Sequence, residues 1–282
     1  MILRAEAFAK TNLRLEVLGR RRDGFHEIDT VFQTIDLTDR LEVSEAPGRI
    51  DLECTDPSVP SDSRNLVVRA ADALRRRFPD AGGARIRLEK NIPAGGGLGG
   101  GSSDAAIALL LLARLWKLPV GPAELAGIGA ELGSDVPFFF VGGTARGRGR
   151  GEIVEPLPDA PSRALVLVVP PFSISTAEVY SRWRPGDAPD PAGPVFGPNS
   201  LASAVLAINP EMDRHRRAIS RSYPDCQVSG SGSCLVAWEG ERNAETAKAL
   251  ASELPGARVL RTRTVSRSEY EKRSTLELSL RR

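Results

Sequence analysis

Six glycines fall within the eleven residues Pro93–Ser103 (Pro93, Ala94, Gly95, Gly96, Gly97, Leu98, Gly99, Gly100, Gly101, Ser102 and Ser103). The run leads through Asp104 into IALLLLARLWKL, the most apolar stretch of the chain. Glycine is entropically costly to order, so a loop this rich in it needs a reason. Without Cβ atoms, successive N–H groups can curl around an anion. A helix beginning near Ser102 would add about half a positive charge at its N-terminus. The Ser102 and Ser103 hydroxyls can reach phosphate oxygens or an oxygen bound to magnesium. A flexible linker is the plainer alternative, but linkers do not usually open onto a strongly apolar helix.

Gly95, Gly97 and Gly100 formally satisfy GxGxxG. A dinucleotide fold would place that pattern after its first strand, with an acid about 20 residues later. Here it lies mid-chain and six glycines overfill it. No lysine lies in the loop, so it is not a Walker motif, and the HRD and DFG signatures of protein kinases are missing. Lysine is scarce: only five (10, 90, 117, 248 and 272) stand among 38 basic residues. Lys10 and Asp135, taken alone, read as a solvated lysine at a strand end and as a helix cap or surface ion pair.

The composition sets bounds. The 282 residues are 41% hydrophobic and 26% charged, enough to bury a real core. A net charge of +2 gives no reason to expect a nucleic-acid partner. Two histidines (His26 and His215) without HExxH cannot build a His-rich metal site, and three cysteines without CxxC predict free thiols. The longest apolar run, Ala105–Ala113, is far short of a bilayer span, and the N-terminus lacks an apolar signal core. These features predict a cytoplasmic protein with no membrane contact.

The elements that must position the loop follow from periodicity. Leu13, Leu15 and Val17 alternate with polar residues, Asp23-Gly24 marks a turn, and Leu41, Val43, Ile50 and Leu52 continue the strand pattern. Asp62–Phe78 has helical spacing, with Asp62 or Ser63 as the cap. Ala84, Ile86 and Leu88 return to strand. A helix with proline at its first position is expected over Pro122–Leu132. Beyond a boundary at Pro156–Pro161, strands are expected at 164–169 and 257–265, and helices at Thr176–Trp183, 210–221 and 242–253. Residues 184–199, rich in proline and glycine, read as an exposed and mobile loop, and the charged tail after Ser266 as peripheral. The mixture predicts an α+β fold in two lobes, residues 1–157 and 158–282.

Four segments in order carry a resemblance. PAGGGLGGGSSDAA resembles the central ATP-binding motif of the GHMP kinase superfamily. AFAKTNLRLEVLGRRRDGFHEIDTVFQTIDL resembles the N-terminal motif of the 4-diphosphocytidyl-2-C-methyl-D-erythritol kinase family, and GSDVPFFFVGG its aspartate motif. VSGSGSCLVAW resembles its third glycine motif. The match covers about residues 5–240. Phe8 stands for the family's usual Pro and Phe25 for its usual Tyr.

The resemblance implies a ribosomal-protein-S5-like N-terminal lobe and a ferredoxin-like C-terminal lobe. It implies an ATP-dependent, magnesium-assisted kinase acting on the 2-hydroxyl of a cytidine diphosphate methylerythritol in isoprenoid precursor synthesis. Asp135 would be the base and Lys10 its charge partner. Phe25 and His26 would meet the cytosine, Tyr180 would stand on its other side, and Asn12 and Thr176 would contact substrate. Phe25 keeps the ring for stacking but loses the phenol of the usual Tyr. Asn65 and Lys90 occupy positions where the family contacts the nucleotide, although Asn65 could equally cap a helix and Lys90 be an exposed strand residue. No metal ligand is identified. The expected assembly is a monomer or weak homodimer. The alternatives are a homoserine- or mevalonate-type kinase of the same superfamily, a nucleotide-binding regulator without catalysis and, last, a dehydrogenase.

Overall fold

The alternation near the N-terminus produces one long antiparallel hairpin. β1 (Ile2–Arg20) pairs with β2 (His26–Ala46) from Ile2↔Ser44 to Arg20↔His26. The register slips at Phe8/Ala9, Asn12/Arg14 and Val17/Gly19. Such irregularities re-aim side chains, and two of them bracket Lys10 and Asn12. Coordinates come from a computed structural model that describes residues 1–187, 189, 196–240 and 244–274.

β3 (Ile50–Cys54), β4 (Gly83–Glu89), β5 (Thr144–Gly149) and β6 (Ile153–Pro156) complete the first sheet, in the order β3-β4-β2-β5-β6 with β1 also on β2. α1 (Leu66–Arg77), α2 (Gly100–Leu115) and α3 (Pro122–Leu132) supply the rest of its core. In β4, Ala84, Ile86 and Leu88 are buried while Arg85 and Arg87 are exposed, the alternation of a half-buried strand. Against this face pack Leu74 of α1 and Leu109 and Leu112 of α2. Eleven of the sixteen residues of α2 are buried, so this helix has no solvent stripe.

β7 (Ala164–Val169) opens the second sheet. α4 (Thr176–Arg182), α5 (Ala202–Ile208) and α6 (Pro210–Ser222) follow. β8 (Gln227–Val228), β9 (Leu235–Trp238), α7 (Ala244–Glu253) and β10 (Arg258–Arg263) close the lobe. The order β10-β7-β9-β8 with antiparallel neighbours is the ferredoxin-like arrangement. β7 reads as an unbroken apolar run because both of its faces are covered. Val166 and Val168 pack in the lobe's own core with Val179, Val205 and Ile219. Leu165 and Leu167 turn toward the first lobe and meet Ala9, Ile35, Ile92 and Leu98. The protein is thus α+β with two lobes sharing a core. No helix among the described residues is long and apolar enough to cross a membrane.

Three expectations are corrected. The cap of α1 is Asn65, not Asp62 or Ser63: Asn65 Oδ1 accepts from Val67 N at 2.9 Å. Asp62 instead closes its own turn, accepting from Arg64 N. Of the 184–199 loop, residues 188 and 190–195 lie outside the described residues, but its end is not exposed. Phe196 and Asn199 are buried, and Gly197 N donates to Leu13 O at 2.6 Å along the free edge of β1. The segment after Ser266 is not peripheral either; its residues 275–282 lie outside the described set. α8 (Arg267–Ser274) packs on β1, and Arg273 reaches Glu6 at 2.8 Å and Asp36 at 2.7 Å. Tyr270 is 3% exposed, lies tilted against Phe8 with ring centres 5.3 Å apart, and donates its hydroxyl to Phe139 O. Its ring occupies the space a side chain on Gly142 would need.

Tyr270→Ala should therefore destabilise the protein by about 3–5 kcal/mol, the usual loss for a buried aromatic. Denaturant unfolding reads this, and a loss below about 1 kcal/mol would contradict the docking of α8.

Candidate active site

Side chains two apart on a strand share a face. β1 uses this to set Lys10 beside Asn12, and Lys10 Nζ donates to Asn12 Oδ1 at 2.9 Å. Asn12 Nδ2 donates in turn to Thr30 Oγ1 at 2.7 Å, and that hydroxyl donates to Arg14 O at 2.7 Å. The amide orientation of Asn12 is thereby fixed. Asp135 leads into a 3-10 turn over Val136–Phe140 whose Val136, Phe138 and Phe139 are fully buried. Its side chain caps nothing. Instead Oδ2 lies 3.3 Å from Lys10 Nζ, with the lysine side chain 5% exposed and the aspartate 31%. The ammonium is sealed and the carboxylate opens outward.

The glycine loop closes over this pair. Leu98 is buried in the inter-lobe core, and its carbonyl accepts from Lys10 N at 2.9 Å. Gly99 precedes α2 with φ +70°, and a Cβ there would lie 2.9 Å from Lys10 Cγ and 3.0 Å from Phe139 Cζ. Glycine is required for both reasons. A Cβ on Gly97 would stand 2.2 Å from Ser229 O, so the second glycine loop, Ser229–Ser233, packs backbone against backbone on the first. Gly230 in turn faces Asn12 and Lys10.

No side chain caps the first turn of α2. The Ser103 hydroxyl is buried and has no hydrogen-bond partner. Open amides and an orphan hydroxyl together suit an anion. Ala94, Gly95 and Gly101 are exposed, and Pro93, Gly100 and Ser102 are half-buried. Gly96 is buried against Cys234, whose N–H donates to Gly96 O at 3.2 Å.

A second cluster gathers at the tip of the hairpin. His26 is half-buried between Tyr180 of α4, at a ring distance of 5.1 Å, and Trp183, at 5.7 Å and nearly perpendicular. Burial, and then the positive charge of Arg20, hold the imidazole below its ordinary 6.5. Burial also pushes the Tyr180 phenol up, and the charge of Asp135 adds to this, so the two lie within electrostatic reach. Phe25 is 49% exposed, with the Arg150 guanidinium 4.6 Å from its ring centre. Thr176 begins α4 and shares a 2.8 Å hydrogen bond with Ser231 of the second glycine loop.

Two residues expected at the nucleotide have side chains already engaged. Asn65 spends both ends of its amide on local structure, capping α1 and donating to Pro60 O at 2.7 Å. Lys90 is neither exposed nor open to a ligand: its ammonium pairs with Asp39 and with Asp104 at 2.8 Å, and its side chain is 5% exposed. A nucleotide contact through either side chain would have to break these bonds. The sequence reading passed over Asp39, Asp104, Trp183 and Arg150. Only Asp104, directly behind the serines of the loop, carried a local signal. No cluster of three or more His, Cys, Asp and Glu side chains among the described residues could hold a metal ion.

Residues 65–143 match the model for the GHMP kinases N terminal domain. The chain is 41% identical over 285 residues to a protein of Moorella thermoacetica named 4-diphosphocytidyl-2-C-methyl-D-erythritol kinase, covering 93% of this chain and 99% of the relative. It is 50% identical over 193 residues to one of the same name from Pelotomaculum thermopropionicum, covering 68% and 67%. A crystal structure of 4-(cytidine 5'-diphospho)-2C-methyl-D-erythritol kinase superposes with a TM-score of 0.78 at 35% identity, covering 93% of this chain and 99% of that one. A mevalonate kinase structure superposes at 0.68 with 14% identity, which speaks for the fold alone. With a phosphate-shaped loop closing over a lysine–aspartate pair and relatives of this closeness, the chain belongs to the 4-diphosphocytidyl-2-C-methyl-D-erythritol kinase family of the GHMP kinases.

Proposed function

We propose that this chain transfers the γ-phosphoryl group of ATP to the 2-hydroxyl of 4-diphosphocytidyl-2-C-methyl-D-erythritol, with Asp135 as base and Lys10 as its charge partner. The observation that carries this is the 3.3 Å contact between a sealed ammonium and a part-exposed carboxylate, beneath a loop of open amides. The names of the relatives supply the alcohol.

Phosphoryl transfer asks little covalent help of a protein. The loop amides and the N-terminus of α2 hold the phosphates. Asp135 accepts the hydroxyl proton as the new O–P bond forms and the bond to the β-phosphate oxygen breaks, leaving ADP. Lys10 keeps the carboxylate aimed and offsets charge on the group in transit. Magnesium bound with ATP would supply charge neutralisation on the phosphates. The buried Ser103 hydroxyl, which has no hydrogen-bond partner, is the side chain here that would help to hold it.

His26, Tyr180 and Phe25 suit the cytosine. Stacking on an aromatic is worth about 1–3 kcal/mol per base, and a neutral imidazole can accept from the exocyclic amine. Trp183 edges against His26 and limits its rotation. A homoserine- or mevalonate-type substrate has no base to fill this cluster.

Asp135→Asn should lower kcat by about 10²–10⁴-fold while ATP still binds. Near-normal turnover in steady-state assays with the cytidylyl alcohol would remove Asp135 from the mechanism. Tyr180→Ala should raise KM for that alcohol by about 5- to 150-fold and leave KM for ATP unchanged. Equal effects on both substrates would place the cytosine elsewhere. Because the His26 pKa lies below 6.5, its ring is neutral at pH 7. KM for the alcohol should therefore stay flat above pH 7 and rise only on acidification, as protonation removes the acceptor. A rise above pH 7 that His26→Gln abolishes would contradict this.

A further inference from the structure

The mechanism leaves three buried charges unused. Lys90 directly follows β4, and its ammonium is shared by Asp39 of β2 and Asp104 of α2. Asp39 Oδ1 also accepts from Asn91 N at 2.6 Å and Ile92 N at 2.8 Å. Asp39 thus grips the chain just before the glycine loop, Asp104 grips it just after, and Lys90 ties the two. A Cβ on Gly100 would lie 3.3 Å from Lys90 Nζ and 2.9 Å from Ile92 Cγ2, so the ammonium stands directly under the first turn of α2. Buried ion pairs are poor devices for stability alone, since apolar side chains of the same volume do as well. Their placement here points to geometry and charge at the loop.

We propose that Lys90, Asp39 and Asp104 are positioning residues for the nucleotide: an ionic clasp that fixes both ends of the phosphate loop and sets the charge beneath it. None of the three side chains need touch the nucleotide. The inference rests on the reading that this loop holds ATP.

Asp39 accepts from three donors, the Lys90 ammonium and the amides of Asn91 and Ile92, so the segment before the loop is tied through Lys90 to Asp104 at the start of α2.

Steady-state kinetics with ATP and the cytidylyl alcohol test this, beside calorimetric titration of ADP into the purified chain. The triple variant Lys90→Met/Asp39→Asn/Asp104→Leu removes all three charges together, and the asparagine Oδ1 can still accept from the amides of Asn91 and Ile92. It should raise KM for ATP about tenfold, with kcat and KM for the alcohol changed by less than about threefold. Asp104→Asn keeps an acceptor for Lys90 and should stay within about threefold of the wild type in all three constants. An unchanged KM for ATP in the triple variant, or an equal rise in KM for both substrates, overturns the clasp. Failure of the wild type to bind ADP or ATP would instead overturn the ATP reading itself.

Discussion

A buried ammonium needs a partner, and that requirement organises this molecule. Lys10 is sealed by β1, Phe139 and two glycine loops, and in apolar surroundings its charge would be prohibitive. Asn12 and Asp135 are what make it tolerable. Stripping one partner from a buried pair usually costs about 3–5 kcal/mol, so this contact also restrains the fold. It joins the first strand of the chain to a 3-10 turn more than a hundred residues away.

Close backbone approach is the second constraint, and it follows from the first. Side chains at Gly97, Gly99 or Gly230 would push the two loops apart and away from Lys10. The inter-lobe core holds them together from behind, with Leu98 as the loop's own contribution to it. The first glycine loop is therefore held by packing on both of its sides. The second lobe reaches the same region: Ser229 shares a hydrogen bond with Thr11, and the Tyr180 ring stands 5.1 Å from that of His26.

What could be read from the sequence was what local rules govern. Helix α3 begins at its proline and ends before its glycine as expected, and the apolar alternation of β4 survives intact. The glycine loop was legible because six glycines before an apolar helix have few other uses. The start of α1 was not, because Asp62, Ser63 and Asn65 all favour capping and only the turn at Asp62 decides among them. Lys90 was misread because its partners come from 51 and 14 residues away, and no spacing rule links them. Helix α8 is polar except for Tyr270, so nothing local announced that it docks. The gap beside Gly142 and the acids Glu6 and Asp36 decide that, and they come from the middle and the start of the chain.

A crystal structure with a non-hydrolysable ATP analogue and the cytidylyl alcohol is the most direct measurement. The account predicts phosphate oxygens on the amides of Gly97–Ser103 and the 2-hydroxyl within about 2.6–3.2 Å of an Asp135 carboxylate oxygen. Phosphates seated away from that loop, or a hydroxyl that Asp135 cannot reach, would contradict it.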